Sequence, residues 1–214
     1  MRIGIFDSGI GGKFVAEKLK ASSPEYEYIV VNDLTHAPYG ERTYEEIREL
    51  TKIAIQPLLG CDLIIIACNT ATVAALDNLR TTYPSKLFVG FEPMIKPAAY
   101  ETESGHITLL ATSATAYSSR TEDLISTYAS GITVDRPPTF GWAMLINENR
   151  TDEIKLTEVE ASVKKGSDVI IIGCTHYIAL IPRLAKLFLD IRILEPTAAV
   201  ARQMTRLIDS RPQQ

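Results

Sequence analysis

Two cysteines end two copies of one phrase, and a thiol is a residue that can take up or give back a proton. Gly60-Cys61-Asp62-Leu63-Ile64-Ile65-Ile66-Ala67-Cys68-Asn69-Thr70 returns as Gly166-Ser167-Asp168-Val169-Ile170-Ile171-Ile172-Gly173-Cys174-Thr175-His176, an offset of 106 positions (174 minus 68). A thiol titrates near about 8.5 in free peptides, and a helix N-terminus or a cationic imidazole favours the thiolate. Both cysteines stand where a strand gives way to a helical stretch. Two thiols aimed into one cleft from opposite sides would pass protons through a molecule held between them. One such cysteine reads as a small buried apolar residue; two at equivalent positions, each followed by polar residues, read as chemistry. Cys61 has Ser167 as its counterpart and reads as structural.

The residues around the thiols carry polar chemistry of their own. Asn69 and Thr70 follow Cys68, while Thr175 and His176 follow Cys174. These supply amide, hydroxyl and imidazole groups at helix starts, where backbone N–H groups point outward. Such a set binds carboxylates without Lys or Arg. His176 could donate a proton to Cys174 or tune it; its other reading is a satisfied structural histidine. Asp7-Ser8-Gly9-Ile10-Gly11-Gly12 opens the first helix, with glycines that allow a tight turn and Ser8 able to cap the helix or donate a hydrogen bond. The loop lacks the G-x-G-x-x-G register of a dinucleotide site. Its carboxylate would repel a phosphate but could pair with an ammonium group or polarise a thiol. Taken alone, the loop also reads as a helix cap in a turn. Pro38-Tyr39-Gly40 would present Tyr39 and the Gly40 amide at the same edge.

The elements that must position these groups are short apolar strands alternating with helices. Strands are predicted at Ile3–Phe6, Tyr28–Val31, Leu63–Ala67, Leu87–Val89, Ile107–Ala111, Val169–Ile172 and Ile191–Leu194. The four-residue aliphatic run before each cysteine region suits a strand buried on both faces of a parallel sheet, whose carboxyl edge is where ligands bind. Helix faces are expected at Ile47, Leu50, Ile53 and Ala54 and at Leu180, Leu184, Leu187 and Phe188, with Arg202, Arg206 and Asp209 on the wet side of a last helix. The first strand repeats too, because Ile3 to Ser8 matches Ile107 to Thr112 at an offset of 104 (107 minus 3). The repeat implies an α/β chain of two halves related by an approximate two-fold axis, with Pro93 and Pro97 near the first crossing. The expected halves are 1–92 plus 197–214 and 93–196.

Composition narrows the function. The chain has 214 residues, 46% of them hydrophobic, and a net charge of -4 with no basic cluster, which argues against a nucleic-acid partner. Apolar runs stop short of the roughly 18 to 20 residues of a membrane span, and the absence of a targeting segment points to the cytoplasm. Three cysteines form neither a disulfide framework nor a four-ligand zinc site, so no metal is expected.

Five stretches, in order, carry a resemblance: Asp7-Ser8-Gly9-Ile10-Gly11-Gly12, Pro38-Tyr39-Gly40-Glu41-Arg42, Ala67-Cys68-Asn69-Thr70-Ala71, Ala111-Thr112-Ser113-Ala114-Thr115 and Gly173-Cys174-Thr175-His176-Tyr177. In them the chain resembles the bacterial glutamate racemases of the cofactor-independent aspartate/glutamate racemase superfamily. The resemblance implies two flavodoxin-like halves with glutamate in the cleft between them, no cofactor, and a role in supplying D-glutamate for peptidoglycan. It implies that Cys68 takes the proton from D-glutamate and Cys174 from L-glutamate. Substrate contacts would fall on Asp7, Ser8, Tyr39, Gly40, Asn69, Thr70, Thr175 and His176, with Thr112 and Thr115 added. Asp7, His176 and Glu148 would be auxiliary, Glu148 standing for an acidic residue the family places near the second cysteine. A homodimer is compatible with it.

The chain departs from the family in being shorter, in Pro137 to Met144, and in carrying Glu195-Pro196 before the last helix. Other readings are a racemase or isomerase for aspartate or maleate, and an amino-acid-binding protein of the same fold without turnover.

Overall fold

The aliphatic runs pair with one another because a strand buried on both faces must find its hydrogen bonds sideways, in neighbouring strands. The structure, a computed structural model, describes residues 1–210. Residues 211–214, assigned by sequence to the first half, lie outside the described residues. The chain divides into two compact units, Met1–Phe91 with the stretch from Pro196 onward, and Glu92–Glu195.

The first unit runs β1 (Arg2–Asp7), α1 (Gly11–Ser22), β2 (Glu27–Asn32), α2 (Tyr44–Ala54), β3 (Leu63–Ile66), α3 (Asn69–Thr82) and β4 (Leu87–Gly90). Its sheet has the order β2-β1-β3-β4, all parallel, with Ile3 opposite Leu63 and Phe6 opposite Ile66. The second unit runs α4 (Ile95–Glu101), β5 (His106–Leu110), α5 (Ser113–Ala116), α6 (Ser119–Tyr128), β6 (Thr133–Asp135), α7 (Trp142–Asn147), α8 (Thr157–Lys164), β7 (Val169–Ile172), α9 (Ile181–Leu187) and β8 (Arg192–Leu194). Its parallel sheet has the corresponding order β6-β5-β7-β8, with Ile107 opposite Val169 and Leu110 opposite Ile172. The last helix, α10 (Thr197–Asp209), returns to the first unit, where it packs on α1 and β4 and buries Val200 and Met204.

Each repeated run is fully buried. Leu63 to Ile66 and Val169 to Ile172 are at most 1% exposed, as two helix-covered faces require. At about 25 cal/mol per Å2 of apolar surface, each such side chain contributes on the order of 2 kcal/mol to the burial that holds its unit together.

Three details differ from the sequence reading. β6, Thr133-Val134-Asp135, is an unpredicted eighth strand; it is three residues long, half-buried to exposed, and lies at the sheet edge. On α2 the inward stripe is Ile47 and Thr51, continued by Ile55 past its end, while Ile53 is 67% exposed. Thr51 enters the core because its hydroxyl donates to the Ile47 carbonyl at 2.6 Å, which removes the cost of an unpaired polar group. On α9 Leu184 is buried and Leu187 is 50% exposed, because the helix ends there and Phe188 turns the chain toward β8.

Polar groups underlie the second sheet where the first is apolar. Gly4 and Cys61 meet under β1 and β3, where a side chain on Gly4 would reach the Cys61 sulfur at 3.3 Å. Their counterparts are Thr108 and Ser167, whose hydroxyls hydrogen-bond at 2.7 Å. Thr108 also lies 2.6 Å from Ser162, which donates to Asp135 at 2.6 Å. His106 Nε2 stands 3.0 Å from the same carboxylate, at ion-pair distance but off the line of a hydrogen bond.

Candidate active site

Cys68 follows β3 and is itself the N-cap of α3, so its sulfur takes the place of a capping oxygen and accepts the Ala71 N–H at 3.4 Å. Ser8, just past the end of β1, donates its hydroxyl to the same sulfur at 3.0 Å. Of the two roles expected for Ser8 the structure shows the second, because Ile10 occupies the N-cap of α1 and no side chain caps it. Cys68, Ser8 and Asp7 come together because β1 and β3 are neighbours in register, which brings residues 60 positions apart into contact.

Asp7 is fully buried, and its Oδ1 accepts the Gly9 N–H at 2.8 Å. That bond uses an amide that a phosphate would need, so the loop is built around its own carboxylate. The Cys68 thiol is pushed up to about 11, first by burial and then by the Asp7 carboxylate; the Ser8 hydroxyl and the Ala71 and Thr70 amides pull the other way. A helix N-terminus was expected to favour this thiolate, and here burial wins over it.

Asn69 and Thr70 open α3 and are buried; Asn69 Nδ2 donates to the Phe91 carbonyl at 3.1 Å, while its Oδ1 is buried without a hydrogen-bond partner. Tyr39 lies in a 3-10 turn, Tyr39–Glu41, that includes Gly40. Its ring is buried against Phe6 and its hydroxyl donates to Asp33 at 2.8 Å. Burial, the Asp33 bond and the charges of Asp33 and Cys68 raise its titration well above the usual phenol.

Cys174 stands at the corresponding place in the second unit, after β7, but the segment that follows, Thr175–Leu180, is a 3-10 helix and Cys174 accepts no capping bond. Thr175 and His176 are buried. The sulfur lies 3.7 Å from His176 Nδ1, and His176 Nε2 lies 3.1 Å from Asn147 Oδ1. Tyr177, held edge-on against Trp142 at 5.5 Å, donates to the Thr139 carbonyl at 3.4 Å, and burial together with the Cys174 charge raises its titration.

Thr112 caps α5, accepting the Thr115 N–H at 3.4 Å and donating to the Thr115 hydroxyl at 3.2 Å. Glu148, expected near the second cysteine, turns outward to Arg150 at 2.6 Å. The residue beside it, Asn147, is the one that reaches His176. Nothing in the spacing marks Asn147, since it and His176 are 29 positions apart. Among the described residues no group of three or more His, Cys, Asp or Glu could hold a metal ion, and no helix is long and apolar enough to cross a membrane.

These arrangements can each hold and move a proton at sulfur, with buried N–H and O–H donors close by. Comparison with known proteins bears on what they act upon. The Asp/Glu/Hydantoin racemase family matches residues 13–204. The chain is 39% identical to the glutamate racemase of Ectopseudomonas mendocina (strain ymp), over 96% of this chain and 81% of that protein. It is 38% identical to that of Pseudomonas paraeruginosa, over 98% and 82%. Among solved structures it is similar to the Escherichia coli glutamate racemase, determined with L-glutamate and the activator UDP-MurNAc-Ala; the TM-score is 0.86 and the identity 29%, covering 99% of this chain and 84% of that one.

Proposed function

The chain belongs to the Asp/Glu/Hydantoin racemase family, and we propose that it interconverts L- and D-glutamate by moving the α-proton between Cys68 and Cys174. As a racemase, it would carry the α-proton on side chains of its own that exchange with solvent between turnovers. The observation that carries the two-base reading is the repeat itself: equivalent strands β3 and β7 each end in a buried thiol, and each thiol has a hydrogen-bonding partner of its own.

Racemisation needs a base on one face of the α-carbon and an acid on the other. In the L-to-D direction Cys174 as thiolate takes the α-proton and Cys68 as thiol returns one to the opposite face; from D-glutamate the roles exchange. Each sulfur must come within hydrogen-bond reach of the α-carbon's proton in the substrate complex. The thiol at Cys68 suits the acid role at rest, because burial and Asp7 keep it protonated at neutral pH.

The carbanion left by proton removal spreads its charge onto the α-carboxylate. Buried donors aimed at that charge are worth about 3 kcal/mol each. The Thr70 and Thr175 hydroxyls provide such donors, Ser8 and the Ala71 amide being engaged by the Cys68 sulfur, and the unpartnered Asn69 Oδ1 suits the substrate ammonium. Tyr39, Gly40, Thr112, Thr115 and His176 complete the substrate set. The product, D-glutamate, would serve peptidoglycan assembly in the cytoplasm.

The test is incubation with each enantiomer in deuterated water. L-glutamate should yield D-glutamate carrying deuterium at the α-carbon, and the reverse. Absence of exchange from both enantiomers, with the protein folded, rejects the reading.

A further inference from the structure

We propose that Asn147 is a positioning residue for Cys174, holding His176 in the tautomer whose Nδ1 lone pair receives the Cys174 proton. The proposal rests on the two-thiol reading above. It starts from one contact, Asn147 Oδ1 to His176 Nε2 at 3.1 Å. A carbonyl oxygen only accepts, so Nε2 carries the hydrogen, and in the neutral ring Nδ1 is then the acceptor. Nδ1 faces the Cys174 sulfur at 3.7 Å. The S–H therefore points at a lone pair and not at a second donor.

Asn147 is held firmly enough for this task. It is the last residue of α7, which starts from Gly141 at φ 76 and is followed by Asn149 at φ 59, so left-handed residues fix both ends. Trp142 on the same helix packs edge-on against Tyr177, next to His176. The charged groups nearby on the packed elements are engaged elsewhere: Arg150 pairs with Glu148 at 2.6 Å and Glu153 at 2.8 Å, and Arg183 donates to the Thr151 carbonyl at 3.1 Å. Tyr177, the other titratable neighbour, donates to Thr139.

A neutral amide at this position has a consequence that a carboxylate would not. A carboxylate would hold the ring as imidazolium, with Nδ1 already protonated. The amide fixes the ring's direction and leaves it neutral. When L-glutamate is the substrate, the Cys174 S–H bond breaks, its proton goes to Nδ1, and the thiolate takes the α-proton. The Nε2–H stays on the ring, bonded to Asn147 throughout.

Two variants of the full chain test this. Asn147→Leu keeps the volume and removes the acceptor; kcat for glutamate should fall roughly ten- to a hundredfold with KM little changed. Asn147→Asp keeps the acceptor and adds a charge. Alkylation by iodoacetamide, followed at each cysteine separately by mass spectrometry across pH, should show its Cys174 midpoint moved down by about one pH unit and the Cys68 midpoint unmoved. An unmoved Cys174 midpoint in folded Asn147→Asp, or wild-type kcat in Asn147→Leu, overturns the proposal. If the wild type exchanges no α-proton of glutamate while the Cys174 midpoint still moves, the tautomer lock stands and the racemase reading falls.

Discussion

The two units keep the ionisable partner of their thiol in different places. In the first, it is Asp7, at the end of β1, the strand beside the one that leads to Cys68. The equivalent residue in the second unit is Ala111 (111 minus 104), which carries no charge. There the partner is His176, two positions beyond Cys174, where the first unit has Thr70. One thiol is thus governed by a carboxylate from the neighbouring strand and the other by an imidazole on its own segment. The lesson is that duplication supplied two equivalent strand ends, while the chemistry at each was settled by different positions. A carboxylate favours the protonated thiol; an imidazole can take the proton away. Two thiols at equivalent strand ends become an unequal pair.

The strongest way to break this comparison is to remove either sulfur. Cys68→Ser and Cys174→Ser should each lower racemisation at least about a thousandfold while calorimetry still registers glutamate binding. A variant that racemises at the wild-type rate would dispose of the two-base scheme. Because a racemisation has an equilibrium constant of unity, kcat/KM must fall equally in both directions whichever base is lost. The unequal tuning must therefore be read at the thiols themselves.

Asp7→Asn sharpens that reading. Removing the carboxylate that raises Cys68 should bring its alkylation midpoint down from about 11, with Cys174 unchanged. A midpoint that stays put would mean that burial alone sets this thiol.

Packing gives a third, smaller contrast. Gly173 precedes Cys174 where Ala67 precedes Cys68, and a Cβ on Gly173 would meet Ala111 Cβ at 2.9 Å and the Leu110 carbonyl at 3.2 Å. The second unit has closed its strand ends more tightly. Gly173→Ala should cost about 1 to 3 kcal/mol in urea unfolding, against about 0.5 to 1 kcal/mol for Ala67→Gly. Equal costs would erase the difference.

The smallest effect concerns acid. Burial pushes Asp135 up, but the Ser162 hydroxyl and His106, helped by Lys165, more than offset it, and its carboxyl lies below the usual range. A carboxyl depressed in the folded state stabilises above its unfolded value of about 3.9 and loses that contribution as pH falls through the folded value. Asp135→Asn should flatten the fall of thermal stability below about pH 4, and an unchanged slope would remove the network from the account.

The fold was legible because parallel strands buried on both faces write themselves as uninterrupted aliphatic runs, as at Leu63 and Val169. The edge strand β6 was not, since Thr133 and Asp135 carry no such signal in three residues. Ile53 and Leu187 fit a helical stripe yet face outward, because Thr51 satisfies its hydroxyl on its own helix and α9 stops early. At the site, the thiols and the residues beside them could be read from the repeat. Asn147 could not, because a hydrogen bond across 29 positions leaves no periodicity behind. The elevated Cys68 thiol was likewise hidden, since burial is a property of the packed chain and outweighed the helix start.

The return of α10 to the first unit sets an order of assembly. Residues Glu92–Glu195 form an uninterrupted stretch, so the strands of their sheet emerge one after another with none supplied from elsewhere in the chain. The first unit, begun earlier, waits for Val200 and Met204 to cover α1 and β4. During synthesis this unit therefore lacks its last helix until residues 197–209 emerge, and the apolar side chains that α10 covers on α1 and β4 wait for it.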